Sequence, residues 1–266
     1  MKNILLLVHD DTGQEARFQA ALDVARAVGG HLTCLDVAII PAIIGADYVG
    51  GAGAGMLLAD ELKSENANRQ RLEARLLRED VPWDFVSVAG SLASSLHARA
   101  GLADLIVVSR QLDDYPLPDM RGVASDVIVK SGKPILAVPS ALERLDLSAA
   151  MVAWNGSQSC TAALASAVPM LKLADRVTIV EVDDGPVDAP AEEAALYLSR
   201  FGIEARVHRL AGETGTAFAL GDYGLNGGFG YIVMGGFGHS RFVEAITGGT
   251  SRAMLTASPL PLLMAH

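Results

Sequence analysis

Two parts of this sequence match each other, and the match restricts the fold more than any other feature. Three pairs of segments correspond in the same order along the chain: 10–37 with 155–182, 104–108 with 230–234, and 134–138 with 261–265. Because the order is kept, we interpret the chain as a tandem duplication. The junction is the polar stretch 140–144, which predicts one domain over 1–143 and a second over 146–266.

Within each copy, short apolar runs rich in β-branched residues alternate with longer helical patterns. The strands are predicted at 3–9, 32–38, 83–88, 104–109 and 134–139, and again at 149–154, 175–182, 205–210, 230–235 and 260–265. Strands separated by helices pair in parallel through right-handed crossovers. We therefore predict an α/β fold of two tandem doubly wound, Rossmann-like domains, each with a five-stranded parallel sheet and helices on both faces.

Composition narrows the classes of protein and partner. Half of the residues are hydrophobic but only 5% are aromatic, which suits a parallel sheet covered by helices. The formal charge of −10 argues against a nucleic-acid partner. Cys34 and Cys160 are too few for a disulfide framework, and no histidines have metal-ligand spacing. With no signal-peptide core and no membrane-spanning run, the sequence predicts a cytoplasmic protein without membrane or metal.

After the fourth strand of the second copy comes a glycine-rich loop, MGGFGHSRFVEAITGGTS, which ends at Ser251. Doubly wound sheets bind ligands beyond the carboxyl ends of the strands, at the switch point in strand order. Glycines permit positive φ and close approach of a ligand to the main chain, and a helix start with hydroxyls suits phosphate. We predict a phosphate cradle rather than a loop that only turns. Its residues are Gly235, Gly238, Gly248, Gly249, Thr250 and Ser251.

The first copy differs at the equivalent positions. Ser109 and Leu112 stand where the second copy has Gly235 and Gly238. The segment 121–124 matches 248–251 and lacks the two hydroxyl residues found there. Asp113 and Asp114 also lie in this loop, where carboxylates oppose phosphate binding. The sequence therefore predicts a degenerate site in the first copy.

These features resemble tandem members of the universal stress protein family over essentially the whole chain. The nucleotide-binding branch of that family has Gly-x2-Gly-x9-Gly-Ser/Thr after the fourth strand, an Asp after the first strand, and binds ATP in an adenine nucleotide alpha hydrolase-like fold. The resemblance implies that Gly235, Gly238 and Gly248 are the loop glycines. It also implies that Ser251 is a hydroxyl ligand and that the backbone of Val182 faces adenine.

Two residues depart from the family pattern. Gly249 replaces the Ser or Thr, and Asn155 replaces the Asp. An amide can hydrogen-bond a ribose hydroxyl, but it cannot help to hold a cation as a carboxylate would. Binding is therefore expected to be weaker or to depend less on Mg²⁺. Gly156 and Ser157 follow in the same turn, and Ser157 is expected to be the N-cap of the next helix.

Other polar residues of the loop have two open interpretations. His239 and Arg241 could reach a γ-phosphate or lie in a solvated loop. Ser240 lacks the Gly-x-Ser-x-Gly elbow of a nucleophile, so no catalytic residue is predicted. The glycine-rich run 45–55 follows the second strand and is predicted to be a mobile insertion that packs over the neighbouring domain or a partner chain, not a dinucleotide fingerprint.

The expected function is a stress-response protein that binds ATP or a related adenine nucleotide, with or without Mg²⁺, in its second copy, as a switch or slow hydrolase. The alternative is a nucleotide-free interaction or scaffold module. Hydrolysis needs a residue that positions water, for which His239, Glu244 and Asp183 are candidates without established geometry. The two copies are expected to pair through their last strands, and a homodimer is also compatible with the resemblance.

Overall fold

A computed structural model describes residues 1–39, 50–110, 120–185, 187–212, 215–237 and 249–266 of the chain. Its strands are β1 (Asn3–Val8), β2 (His31–Ile39), β3 (Trp83–Gly90), β4 (Leu105–Ser109), β5 (Ile135–Val138), β6 (Ala149–Trp154), β7 (Arg176–Asp183), β8 (Ala205–Ala211), β9 (Tyr231–Gly235) and β10 (Leu262–Ala265). Its helices are α1 (Gln14–Val28), α2 (Gly50–Leu76), α3 (Leu92–Arg99), α4 (Met120–Ser131), α5 (Gln158–Leu171), α6 (Ala191–Ser199), α7 (Thr216–Asn226) and α8 (Thr250–Ala257).

The strands form one ten-stranded sheet in the order β3-β2-β1-β4-β5-β10-β9-β6-β7-β8. Within each half all neighbouring strands are parallel, and the strand order reverses between β1 and β4 and between β6 and β9. The halves join where β5 and β10 pair antiparallel, with Leu136 opposite Leu263. The predicted α/β fold class, with mostly parallel strands, is confirmed.

Helices cover both faces of the sheet. Side chains alternate along each strand, so that Ile4 and Leu6 face one layer while Leu5 and Leu7 face the other. The first layer contains α1, α2, α5 and α6, and the second contains α3, α4, α7 and α8. This arrangement leaves the carboxyl ends of β6 and β9 side by side at the switch point of the second half.

One element differs from the sequence prediction. Helix α2 begins at Gly50, so residues 50–55, which we predicted to be an insertion between strand and helix, form its first turns. Glycine is a poor helix former, and this composition predicted no helix there. The remainder of the predicted insertion, 45–49, lies outside the described residues.

The described helices include none that combines the length and apolar character needed to cross a membrane. In the same residues no group of three or more His, Cys, Asp or Glu is arranged to hold a metal ion.

Candidate functional site

The candidate site lies at the switch point of the second half, where the structure describes two thirds of the predicted residues. Those described are Asn155, Gly156, Ser157, Val182, Gly235, Gly249, Thr250 and Ser251. Those outside the described residues are Gly238, His239, Ser240 and Gly248. The described residues come from three places: the turn after β6, the end of β7, and the segments flanking the glycine-rich loop.

The turn after β6 is organised by its own side chains. Asn155 Oδ1 accepts a hydrogen bond from the backbone N–H of Ser157 at 3.1 Å. Ser157 Oγ accepts from the backbone N–H of Cys160 at 3.3 Å, which confirms the predicted N-cap of α5. This turn sets the point at which α5 starts above the sheet.

Gly156 is required by the packing of the chain itself. Its φ is +77°, and a Cβ there would lie 2.1 Å from the backbone nitrogen of Ala189. The same segment is held by two hydrogen bonds: Asp188 N–H donates to the carbonyl of Asn155 at 3.0 Å, and Trp154 Nε1 donates to the carbonyl of Ala189 at 2.8 Å. The segment between β7 and α6 therefore covers the turn after β6.

Gly235 also meets protein atoms. A Cβ at this position would lie 2.6 Å from both the backbone nitrogen of Cys160 and Ser159 Oγ. Ser159 Oγ in turn lies 3.1 Å from Ser157 Oγ. Gly235 was predicted to let a ligand approach the main chain, but in the structure the group adjacent to it is the first turn of α5. This close approach brings the hydroxyls of Ser157 and Ser159 next to the end of β9.

The start of α8 is tied to the end of β9. Ser251 is buried, and its Oγ accepts a hydrogen bond from the backbone N–H of Phe237 at 3.2 Å. Phe237 has a φ of 57°, a conformation that is uncommon for a residue other than glycine. Gly249 is the N-cap of α8 and has no side chain to accept from the first-turn N–H groups. Those N–H groups and the hydroxyl of Thr250 are therefore the donors that this end of the helix can present to an anion.

A cavity of about 450 Å³, within the range of small-molecule sites, lies at the carboxyl ends of β7 and β8. It is lined by Glu181, Val182, Asp183, Val187, Arg209, Leu210 and Ala211. Arg209 Nε donates to Glu181 Oε1 at 3.0 Å, so these two charges lie against each other on the cavity wall. The carbonyl of Val182 accepts from Asp184 N–H at 3.0 Å. The structure thus places Val182 on the wall of this cavity; of the other described candidate residues, Gly235, Gly249, Thr250 and Ser251 are not among those that line it.

In each half, the space between the ends of the two strands at the switch point is called the crevice here. The crevice of the first half, between the ends of β1 and β4, is filled by an arginine that no sequence motif indicated. Arg17 of α1 is fully buried. Its Nη1 donates to Asp11 Oδ1 at 2.9 Å and to Ser109 Oγ, and its Nη2 donates to Asp11 Oδ2 at 2.7 Å. It also donates to the carbonyls of Leu7 and His9. A guanidinium therefore occupies the space at the ends of β1 and β4.

The second half has small residues at the three matching positions. Ala162 aligns with Arg17, Gly156 with Asp11, and Gly235 with Ser109. The signal in the sequence was an arginine in the first turns of an otherwise apolar helix face, beside Phe18. Only the fold shows that its head group turns toward the strand ends.

A second group of buried polar side chains lies beside it, at the ends of β1 and β2. His9 Nδ1 lies 2.5 Å from Glu65 Oε1, and Ser87 Oγ donates to Asp36 Oδ2 at 2.9 Å. Burial raises the pKa of Asp36 to about 6. Burial alone would raise the pKa of Glu65, but the hydrogen bond from His9 lowers it below its ordinary value. Charged groups of the chain itself therefore occupy this end of the first half.

Comparison with known proteins finds relatives that match this chain over nearly its full length. No family model matches the sequence. Universal stress protein Slr1230 of Synechocystis sp. is 23% identical over 288 residues, covering 99% of both chains. The crystal structure of a universal stress protein from Archaeoglobus fulgidus superposes with a TM-score of 0.75 at 18% identity, covering 99% of this chain and 96% of the other. The resemblance to the universal stress protein family is confirmed.

Two further structures share the fold. A universal stress protein from Pseudomonas aeruginosa gives a TM-score of 0.57 at 16% identity, covering 100% of this chain and 93% of the other. The cytoplasmic domain of a prokaryotic cation chloride cotransporter gives 0.53 at 11% identity, covering 99% and 95%. The universal stress protein relationship is consistent with a role in the response to stress. The likeness to the cotransporter domain shows the fold alone.

Proposed function

We propose that this protein acts in the stress response by binding ATP or a related adenine nucleotide in its second half. The phosphates would lie at the start of α8, against the N–H groups that follow Gly249 and the hydroxyl of Thr250, while Ser251 holds the end of β9 beside them through Phe237. A helix N-terminus carries a partial positive charge that stabilises such an anion. Asn155, exposed in the turn after β6, would contribute its amide to the ribose.

The observation that carries this proposal is the difference between the two crevices. In the first half, Arg17, Asp11 and Ser109 fill the space between the ends of β1 and β4. The second half has Ala162, Gly156 and Gly235 at those positions. The second half therefore has no arginine–carboxylate pair of its own between the ends of β6 and β9, and no carboxylate at these positions to repel a phosphate.

The cavity at the ends of β7 and β8 supports the same proposal, because it offers a place for the adenine base of the nucleotide. Its volume of about 450 Å³ is sufficient for a nucleobase, and Val182 lies on its wall. The side chains of Val182 and Leu210 supply apolar surface, while main-chain groups at the strand ends can hydrogen-bond the edge of the ring.

One observation favours the second candidate, a nucleotide-free interaction module. Gly156 and Gly235 are each required by contacts within the chain, with Ala189 and with Cys160, so their presence needs no ligand. The two candidates differ in what ATP does to stability, because a ligand that binds only the folded state must raise the unfolding midpoint.

The test is thermal unfolding of the whole chain with and without ATP. We expect ATP to raise the midpoint of the wild type, and Thr250→Asp to abolish the rise, because a carboxylate at the first residue of α8 repels phosphate. A negative charge there favours the helix itself, so the variant should fold normally. Ser94→Asp adds the same charge to the first turn of α3 and should keep the rise. No rise in the wild type would favour the nucleotide-free module.

A further inference from the structure

We propose that Arg110, which belongs to the first half, positions the nucleotide site of the second half. This inference rests on the proposed function. Arg110 directly follows Ser109, the last residue of β4. Its Nη1 donates to the carbonyl of Leu255 at 3.1 Å and to the carbonyl of Thr256. An arginine of one half therefore caps a helix of the other half.

The capped helix is α8, whose opposite end is the proposed phosphate site. The last carbonyls of a helix lack partners within it, and a cation is favourable at its negative end. With 8 residues, α8 is too short to be stable alone, so its position depends on its contacts. Holding Leu255 and Thr256 at one end therefore fixes where Thr250 and Ser251 lie at the other.

Further contacts across the junction lie beside the same site. Helix α4 of the first half packs against α8. A Cβ placed on Gly236, just after β9, would lie 3.6 Å from Ile128 Cδ1 of α4. Part of the first half thus adjoins the main chain from which the glycine-rich loop starts.

Among the described residues, the position equivalent to Arg110 makes no matching contact in the opposite direction. In the repeat, Gly236 occupies the position equivalent to Arg110, and it has no side chain with which to reach α4. The arginine is present only where it can act on the helix that carries Thr250 and Ser251. The first half, whose own crevice is filled, would therefore contribute to binding through Arg110.

The chain offers a matched control. Arg176 Nη2 donates to the carbonyls of Gly227 at 2.7 Å and Gly228 at 2.9 Å, where α7 ends. It is also an arginine that caps a helix of the second half, but α7 carries no residue of the proposed phosphate site. Arg110→Gln and Arg176→Gln therefore both remove arginine-to-carbonyl hydrogen bonds from the end of a helix, and Arg176→Gln also removes a cation–π contact, in which the guanidinium lies 4.3 Å from the ring centroid of Phe229.

The experiment measures the Kd for ATP by calorimetry in the full chain, with the midpoint of urea unfolding as the measure of stability. We expect Arg110→Gln to weaken ATP binding about fivefold to tenfold, which corresponds to loss of one charge-assisted contact. Arg110→Lys, which keeps the cation, should recover most of the affinity. Arg176→Gln should lower stability at least as much, because it also loses the contact with Phe229, and should leave the Kd unchanged.

The outcomes separate the two proposals. If the wild type binds ATP and Arg110→Gln binds it equally well, or if Arg176→Gln loses as much affinity, the positioning role is wrong while the proposed function stands. If the wild type itself gives no binding heat, the proposed function is wrong and this inference fails with it.

Discussion

The guanidinium of Arg17 donates to both carboxylate oxygens of Asp11, at 2.9 and 2.7 Å, in a fully buried pair at the end of β1. Burying two charges is costly unless each is paired and hydrogen-bonded, and here the guanidinium also reaches Ser109 Oγ and two carbonyls. The pair therefore fixes the geometry of the first crevice and fills it.

Removing the arginine should be strongly destabilising. Arg17→Met leaves Asp11 buried without its cation, which typically costs about 3–5 kcal/mol. The double variant Arg17→Met/Asp11→Ala removes both charges and should recover part of that loss. Urea unfolding of the wild type, Arg17→Met and the double variant measures these differences. If Arg17→Met is as stable as the double variant, the interpretation of Arg17 and Asp11 as a buried ion pair is contradicted.

Asp36 predicts a pH dependence of stability. Its folded pKa of about 6 exceeds its ordinary value of 3.8, so the folded state binds the proton more tightly than the unfolded state. This contribution to stability is complete below the ordinary value and is lost as the pH rises through about 6. Asp36→Asn cannot lose a proton, so its stability relative to the wild type should rise by about 2–3 kcal/mol between pH 4 and pH 8.

The measurement is the free energy of unfolding of both proteins across that range. Glu65, whose pKa is lowered, has the opposite dependence: its contribution is lost as the pH falls. It is present in both proteins, so the difference between them reports Asp36 and its coupling to Glu65. A difference that does not change with pH would show that Asp36 titrates normally.

Gly235 should tolerate no side chain. In Gly235→Ala the new Cβ would lie 2.6 Å from the backbone nitrogen of Cys160, and a helix backbone cannot move aside locally. Overpacking of this kind costs about 1–3 kcal/mol. Gly101→Ala is the control, because a Cβ there meets nothing within 4 Å. Equal midpoints of thermal unfolding for the two variants would refute the close approach of α5 to β9.

Asn155 should set the dependence of nucleotide binding on Mg²⁺. An amide is a poor ligand for this cation compared with a carboxylate, so we expect the wild-type Kd for ATP to change little when EDTA removes Mg²⁺. In Asn155→Asp, Mg²⁺ should tighten binding roughly threefold to tenfold. Asn66→Asp, an exposed position on α2, should behave like the wild type. A strong Mg²⁺ effect in the wild type would show that another group holds the cation.

The order of strands and helices could be predicted because apolar periodicity is local, and because the matching segments of the sequence predicted the same elements in both halves. The start of α2 could not, since four of its first six residues are glycine, which is a poor helix former. Similarly, the glycine pattern located the switch point, yet the reasons for Gly156 and Gly235 lie in Ala189 and Cys160, which are distant in sequence.

The filled first crevice shows the same limit. Its degeneracy was predicted from missing glycines and from Asp113 and Asp114, which lie outside the described residues. The groups that fill it are Arg17 and Asp11. No pattern of spacing reveals that a helical arginine turns inward, because that depends on how α1 lies on the ends of β1 and β4.

The central claim is that the second half binds a nucleotide and the first half does not. A calorimetric titration of the intact chain with ATP tests it most directly, because the titration yields the number of sites as well as the affinity. We predict one ATP per chain in the wild type and no binding in Thr250→Asp. Two sites per chain, no binding heat, or unchanged binding in Thr250→Asp would each contradict a single nucleotide site at the start of α8.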